Sequence, residues 1–583
     1  MRSHCKLFIL LLLMSSGADG EQTAAVQPVH APHGMVASMH ALASSAGVEI
    51  MRAGGNAVDA AVAVGFALAV VHPQAGNLGG GGFMLIRFSD GKTHFIDYRE
   101  KAPAAATANM YLDSRGSLIP DASTVGYKAI AVPGSVAGMV FAEKKYGKLS
   151  LGQVMAPAIK LAQEGFPLAA QDADNLRGDH HLGDFPESRR VFLRDGNYFK
   201  AGETFRQPDL ARTLKRIADN PDDFYHGALA RELAVSVQKG GGLITVDDLA
   251  QYEVKEREAV RGSYRGYEIV SAPPPSSGGI TLIEILNILE GYNLAKLGRS
   301  TPSVHLTLEA FRRAFFDRAD LLGDPDFAKI PVAQLIDKKY GAAWRESIDP
   351  AHASNSKELQ RPAIFTELEQ YASVDPRAAG PEPEHTTHYS IVDQAGNAVA
   401  VTTTLDAWFG SRVTAEALGF LLNDEMDDFS AQPGVPNTFE LTQGPANAIG
   451  PGKRPLSAMA PTIVLKDGKL FLVLGSRGGP RIITTLANVL MGVVDYGMNL
   501  QQAVNAPRFH HQWLPDVTRV EQDFSSACAR RLKAMGHKLE PATEETGVRA
   551  RHWSDAECIA LDLKTGERLG ASDKRNQGKA VGF

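Results

Sequence analysis

The stretch from Thr387 to Thr404 constrains this chain most. It alternates and is rich in Val, Thr and Ala, as a half-buried pair of strands should be. Asp393-Gln394-Ala395-Gly396-Asn397 fits a three-residue loop, with Gly396 where a positive φ is needed. Pairing Asp393 with Asn397 sets the register. Counting outwards, Thr386 falls opposite Thr404, and directly opposed residues share a face with Cβ atoms ~5 Å apart. Upstream, Arg361 to Glu384 reads RPAIFTELEQYASVDPRAAGPEPE, polar and proline-bearing without helical period, which predicts an exposed loop. A threonine at that loop-to-strand junction can attack the carbonyl before it, cut the chain, and emerge with a free α-amine beside its own hydroxyl. That amine can then act as general base for the hydroxyl. On this pattern alone a plain Thr-rich strand is the favoured reading.

The 583 residues are enough for several domains, yet βα-type and hairpin segments alternate without a clear linker before residue ~350. One large intertwined α/β unit is therefore expected. Net charge is −6, spread along the sequence with no Lys/Arg run, which argues against a nucleic-acid surface. Met1 to Gly20 reads as a secretory leader: Arg2 and Lys6 precede the apolar run Leu7 to Met14, and small residues follow. No later stretch reaches the ~18 unbroken apolar residues of a membrane helix. The leader implies a periplasmic or extracellular, disulfide-permissive setting. After its removal two cysteines remain, Cys528 and Cys558, and their pairing is open. Neither cysteine has metal-site spacing, and His510-His511 and His385/His388 lack HExxH spacing with a third ligand. His180-His181 reads as a solvated loop pair.

Residues 54–71 open with Gly54-Gly55-Asn56 and continue as an Ala/Val-rich helix, apolar on most faces and so buried. The tract Gly79-Gly80-Gly81-Gly82 lacks phosphate-loop context, and close backbone packing against a neighbouring strand suits it better. A hairpin turns at Ser89-Asp90-Gly91, and Arg99 lies just beyond its second strand. Residues 134–170, 208–220 and 228–240 read as amphipathic helices, and 303–321 as a further helix, all mostly scaffold. Ser271 to Gly279 predicts a rigid turn into a helix. Gly419 to Leu422 predicts a short strand. Asp467-Gly468 predicts a type I′ hairpin over 463–474, running into Gly475-Ser476-Arg477-Gly478-Gly479 and a helix from about Pro480 to Tyr496. Backbone N–H groups at such a strand-to-helix glycine turn are the usual material of an oxyanion hole. A last hairpin, 558–571, turns at Lys564-Thr565-Gly566. Hairpins flanked by helices predict two stacked sheets between helical layers.

Several long motifs occur in one order: GGNAVDAAVAVGFALAVVHPQAGNLGGGGFM at 54–84, DYREKAP at 97–103, VPGSVAGM at 132–139, PPPSSGG at 273–279, TTHYS at 386–390, GNAVAVT at 396–402, NDEMDDFS at 423–430, KRPLSAMAPTIV at 453–464 and GSRGGPRIITT at 475–485. Together they resemble the bacterial γ-glutamyltranspeptidases. The resemblance implies an N-terminal-nucleophile hydrolase, an α/β (α+β) chain in a four-layer αββα sandwich. It implies a precursor cut before Thr386 into a large subunit, 21–385, and a small subunit, 386–583, which stay associated.

By the same resemblance Thr386 is the nucleophile, Thr404 its supporting threonine, and Gly478 with Gly479 the oxyanion hole. A γ-glutamyl donor carries an α-carboxylate and an α-ammonium. Arg99, with its planar fork of donors, suits the carboxylate, aided by the Ser457 hydroxyl. Asp428, with Glu425 nearby, suits the ammonium. Three positions depart from the family pattern. Ser457-Ala458 stands for two serines, Asp406 for an asparagine, and Phe439 for a loop tyrosine that would bond that asparagine. Asp406 is expected to make the pocket more acidic and to favour an ammonium-bearing donor. Phe439 is expected to loosen the lid and bias the enzyme towards hydrolysis. The implied activity is a secreted γ-glutamyltransferase and glutathione hydrolase, needing no cofactor or metal, with glutathione, other γ-glutamyl compounds, water, and amino acid or dipeptide acceptors as partners. The rivals are a cephalosporin (glutaryl) acylase with the same nucleophile and a silent, uncleaved binding protein.

Overall fold

A computed structural model of the chain describes residues 26–365, 368, 386–432, 435, 437, 441–541 and 553–583. The leader, most of the Arg361–Glu384 stretch, His385 and Phe439 therefore lie outside the described residues.

Two seven-stranded sheets form the centre. One runs Lys579–Gly582, Met35–Ser38, Thr386–Val392, Ala398–Thr404, Gly81–Arg87, Thr93–Tyr98 and Lys255–Arg257. The other runs Val29–Ala31, Arg568–Ser572, Glu557–Leu561, Lys469–Leu474, Thr462–Lys466, Tyr267–Ser271 and Val260–Tyr264. Every pairing within both is antiparallel. The period of two along each strand divides the first sheet's side chains between two cores. Met35, Ala37, Phe83, Leu85, Phe95, Ala398 and Ala400 pack inward with residues of the second sheet, such as Ile463 and Leu472. Val36, Met84, Ile86, Val399 and Val401 pack outward against the helix Ala57–Val71. That helix is buried along its whole length, and Asn56 and Asp59 close its first turn as a capping box. The helices Gly278–Leu289 and Arg481–Val494 pack together outside the second sheet. The four layers expected from the sequence are all present.

The hairpin register is the one the turn predicts: Thr386 faces Thr404, and Val392 faces Ala398. Asp467 and Gly468 both have positive φ, as a type I′ turn requires. The glycine tract packs as expected, with Gly81 opposite Thr404 and Gly82 opposite Thr403. A Cβ on Gly82 would lie 2.4 Å from Thr402 O, and one on Gly80 2.0 Å from Thr404 O, so only glycine admits this approach.

Two expectations need correction. Residues 134–170 form two helices, Ser135–Tyr146 and Leu151–Glu164, followed by the short strand Phe166–Pro167. Gly147 ends the first helix, and the Ser150 hydroxyl caps the second through the Gln153 N–H. Gly419 to Leu422 is not an extended strand: single bridges, Thr414 to Leu421 and Gly79 to Leu422, and backbone bonds to Ser411, Val413 and Ala415 hold it. Cys528 and Cys558 are both free. No described helix is long and apolar enough to cross a membrane.

Candidate active site

The same alternation aims Thr386, His388 and Ser390 at the second sheet. Ser390 Oγ donates to Glu557 O at 2.8 Å. The His388 ring lies where a Cβ on Gly475 would be, so glycine at 475 lets the two sheets close there. His388 is held by Thr402 Oγ1 at 2.8 Å and Ser390 Oγ at 3.1 Å, and burial lowers its pKa to about 3. It is a neutral packing group on the strand headed by Thr386.

Thr386 heads its strand and is 6 % exposed, open enough to be reached. Its Oγ1 lies 3.5 Å from Thr404 Oγ1, which also accepts the Asp406 N–H at 2.8 Å. The hydroxyl–hydroxyl contact is long, as catalytic hydrogen bonds often are before substrate tightens them. Facing it, the strand Lys469–Leu474 ends in the glycine turn. Gly478 has φ 121° and Gly479 φ 50°, both in the left-handed region. Their carbonyls accept from Arg481 N and Ile482 N, closing the turn into the helix Arg481–Val494. Among the described residues neither glycine's N–H has an acceptor. Gly479 lines the pocket with Thr386, and Gly478 is buried just behind it.

That pocket is lined by Thr386, Thr404, Asp406, Arg99, Glu425, Asp428, Ser457 and Gly479, among others. Eight of the nine residues singled out from the sequence thus converge from segments up to 380 positions apart, and Gly478 adjoins them. Arg99 is fully buried. Its guanidinium pairs with both Glu425 and Asp428, with Glu100 at 3.4 Å, and its Nε donates to Pro455 O at 3.2 Å. The cation and the acids expected to hold opposite ends of the donor are therefore paired with each other. Asp406, Glu425 and Asp428 are close enough to share a cation, and the Arg99 guanidinium already holds two of them.

Charge in this pocket departs from expectation at Asp406. Burial, then the neighbouring Asp428 and Glu425, hold its pKa well above the usual carboxylate range. Burial also raises Glu425 against the pull of Arg99, and raises Glu100 to about 7. The direction of that shift favours the protonated acid over the carboxylate. In that form Asp406 can donate a hydrogen bond, as the asparagine of the family pattern would. An unfolded aspartate ionises near ~3.9, so from there upwards folding must take up a proton, and stability falls as pH rises towards the raised folded value, by about 1.4 kcal/mol per pH unit. Asp406→Asn should remove that slope. The melting midpoint of the variant should gain on the native protein as pH rises above the unfolded value, and parallel curves would show that the Asp406 pKa is not raised in the fold.

One further pocket residue, Arg318, carries little signal in the sequence, and so does Glu100, a buried partner of Arg99. Glu100 sits beside Arg99 in DYREKAP, where it resembles an ordinary charged neighbour. Arg318 lies on the helix Thr301–Leu321, whose pattern is that of scaffold. Its one signal is a cation on an apolar stripe, at helical spacing from Phe311, Ala314 and Phe315. The apolar wall comes from Leu441, Met459 and Ile482.

The sequence profile of the γ-glutamyltranspeptidases matches residues 43–583. The chain belongs to the γ-glutamyltranspeptidase family. It is 49% identical over 553 residues to the glutathione hydrolase proenzyme of Escherichia coli (strain K12), covering 94% of this chain and 91% of the relative. It is 48% identical over 583 residues to that of Pseudomonas sp. (strain A14), covering 99% and 98%. Among solved structures, the cephalosporin acylase from Bacillus halodurans superposes with a TM-score of 0.82 at 27% identity, covering 98% of this chain and 99% of that one. A γ-glutamyltranspeptidase fold thus brings the strand headed by Thr386, the glycine turn, Arg99 and the acids Asp406, Glu425 and Asp428 to one cavity.

Proposed function

We propose that this chain is a secreted proenzyme with a leader over 1–20, which cuts itself between His385 and Thr386 and then acts as a γ-glutamyltransferase and glutathione hydrolase. The observation that carries this reading is the Thr386–Thr404 register, which sets a strand-end hydroxyl in a pocket holding both signs of charge. Identity to glutathione hydrolase proenzymes over nearly the full length supports it.

Thr386 Oγ attacks the γ-carbonyl while the α-amine, freed by the cut, takes its proton. The N–H groups of Gly478 and Gly479 receive the developing oxyanion. Collapse breaks the C–N bond, and the proton passes to the leaving amine, cysteinylglycine from glutathione. Water or an acceptor amine then attacks the ester and restores Thr386. Arg99 and Ser457 take the donor's α-carboxylate. Asp428, Glu425 and Asp406 take its ammonium.

The glutaryl acylase reading keeps some support from the solved acylase and from Ala458, which offers no hydroxyl to the donor head. A glutaryl chain has no ammonium to offer Asp428, so it would forgo a buried charge contact that a γ-glutamyl head makes. The deciding experiment compares γ-glutamyl and glutaryl p-nitroanilides. The γ-glutamyl donor should be favoured by about a hundredfold or more in kcat/KM, the size of one buried charge contact. Equal rates, or a glutaryl preference, would transfer the assignment to the acylases.

A further inference from the structure

Within the pocket, Arg318 differs from Arg99 in one respect. Arg99 has every guanidinium nitrogen engaged. Arg318 is 2 % exposed, and among the described residues its side chain makes a single hydrogen bond, from Nε to Ser277 Oγ at 2.9 Å. Nη1 is buried without an acceptor. A buried guanidinium N–H without a partner is costly, so a fold retains one only where something compensates.

The surroundings narrow what that partner is. Ser277 Oγ, which accepts from Arg318, donates in turn to Ser457 O at 2.7 Å, and Ser277 N donates to the same carbonyl at 2.8 Å. Arg318 is thereby fixed against the Ser457-Ala458 backbone, where the pocket offers hydroxyls to a carboxylate. Ser457 supplies one; Ala458 supplies none. Asp428 is the charged group that acts on Arg318, and it is already paired with Arg99. Burial lowers the Arg318 pKa only to about 10, so it remains a cation at neutral pH.

We propose that Arg318 is a second donor-binding cation, whose free Nη–H groups hold the α-carboxylate of the γ-glutamyl head beside Ser457. This rests on the γ-glutamyl reading above and deepens it. Arg99, which also balances the buried acids, and Arg318 then share the carboxylate. A guanidinium suits the task because its fork meets a carboxylate with two parallel N–H bonds.

The test uses two donors with the same ammonium and leaving group: γ-glutamyl-p-nitroanilide and 4-aminobutyryl-p-nitroanilide, which lacks the α-carboxylate. The readout is the ratio of their kcat/KM values in the self-cleaved enzyme. Arg318→Gln should lower that ratio about tenfold or more, through a higher KM for the γ-glutamyl donor, with the 4-aminobutyryl donor little changed. Adding Ala458→Ser should recover part of the loss. Arg318→Lys, which keeps the charge but loses the fork, should lower the ratio by a smaller factor and serves if the glutamine variant fails to mature. An unchanged ratio in the matured variants, or an equal loss on both donors, would overturn the role and leave Arg318 a packing residue. Failure of the native enzyme to prefer the γ-glutamyl donor would instead sink the underlying reading.

Discussion

Thr386→Ala is expected to yield one uncut chain with no measurable turnover. The variant removes a single hydroxyl at the head of a strand that pairs over all seven residues with Ala398–Thr404 and over its last four with Met35–Ser38, so the fold has little reason to change. Two processes should stop together. The bond before residue 386 has no attacking oxygen beside it, and the γ-glutamyl carbonyl has no acceptor. The native protein should give chains of roughly 360 and 200 residues, the smaller beginning at Thr386, which follows from cutting at 385–386. Loss of a covalent nucleophile costs on the order of 10⁴-fold or more in kcat. N-terminal sequencing and a denaturing gel read the first effect, and release of p-nitroaniline the second. An alanine variant that still cuts at that bond would remove Thr386 from the mechanism altogether.

Removing a charged clamp should have the next largest effect. Asp428→Ala takes the acid most open to the ligand, since its side chain is 12 % exposed while the Glu425 side chain is 0 % exposed. Truncating one partner of a buried charge pair costs about 2–5 kcal/mol, so kcat/KM on glutathione should fall by a factor of tens to thousands. Self-cleavage should survive, because Asp428 does not touch the scissile junction chemically. Arg99→Ala should lower donor efficiency over the same range and also weaken the fold, because it leaves Glu100, Glu425 and Asp428 buried without their shared cation. A thermal melt separates the two variants. Near-native efficiency in either would place that residue outside donor binding.

Local chemistry makes the nucleophile hairpin legible in the amino-acid sequence. One positive-φ glycine and one Asp–Asn pair fix a register, and a register fixes which hydroxyls meet. The glycine tract at 79–82 is legible for the same reason: a missing Cβ implies a backbone close by. What stays hidden depends on contacts between distant segments. Nothing near Arg318 in the chain announces that Ser277 orients it or that it shares a cavity with residue 386. The pKa of Asp406 is raised because burial, then the nearby Asp428 and Glu425, disfavour its carboxylate, and composition cannot supply those neighbours. The 134–170 stretch reads as one amphipathic run because both of its helices present apolar faces, and the break between them rests on little more than Gly147 and the Ser150 cap.

The strand order has a consequence for how the protein could ever come apart. Residues before and after position 386 are interwoven in both sheets: Met35–Ser38 lies between Lys579–Gly582 and Thr386–Val392, and Arg568–Ser572 lies between Val29–Ala31 and Glu557–Leu561. A cut at 385–386 therefore severs one covalent bond in a woven fabric and frees neither thread. Dilution should not separate the pieces, because parting them means tearing whole ladders of backbone hydrogen bonds. Maturation would thus be a one-way event: halves once denatured and mixed would have to rebuild both sheets together, without the tether that first brought them into register.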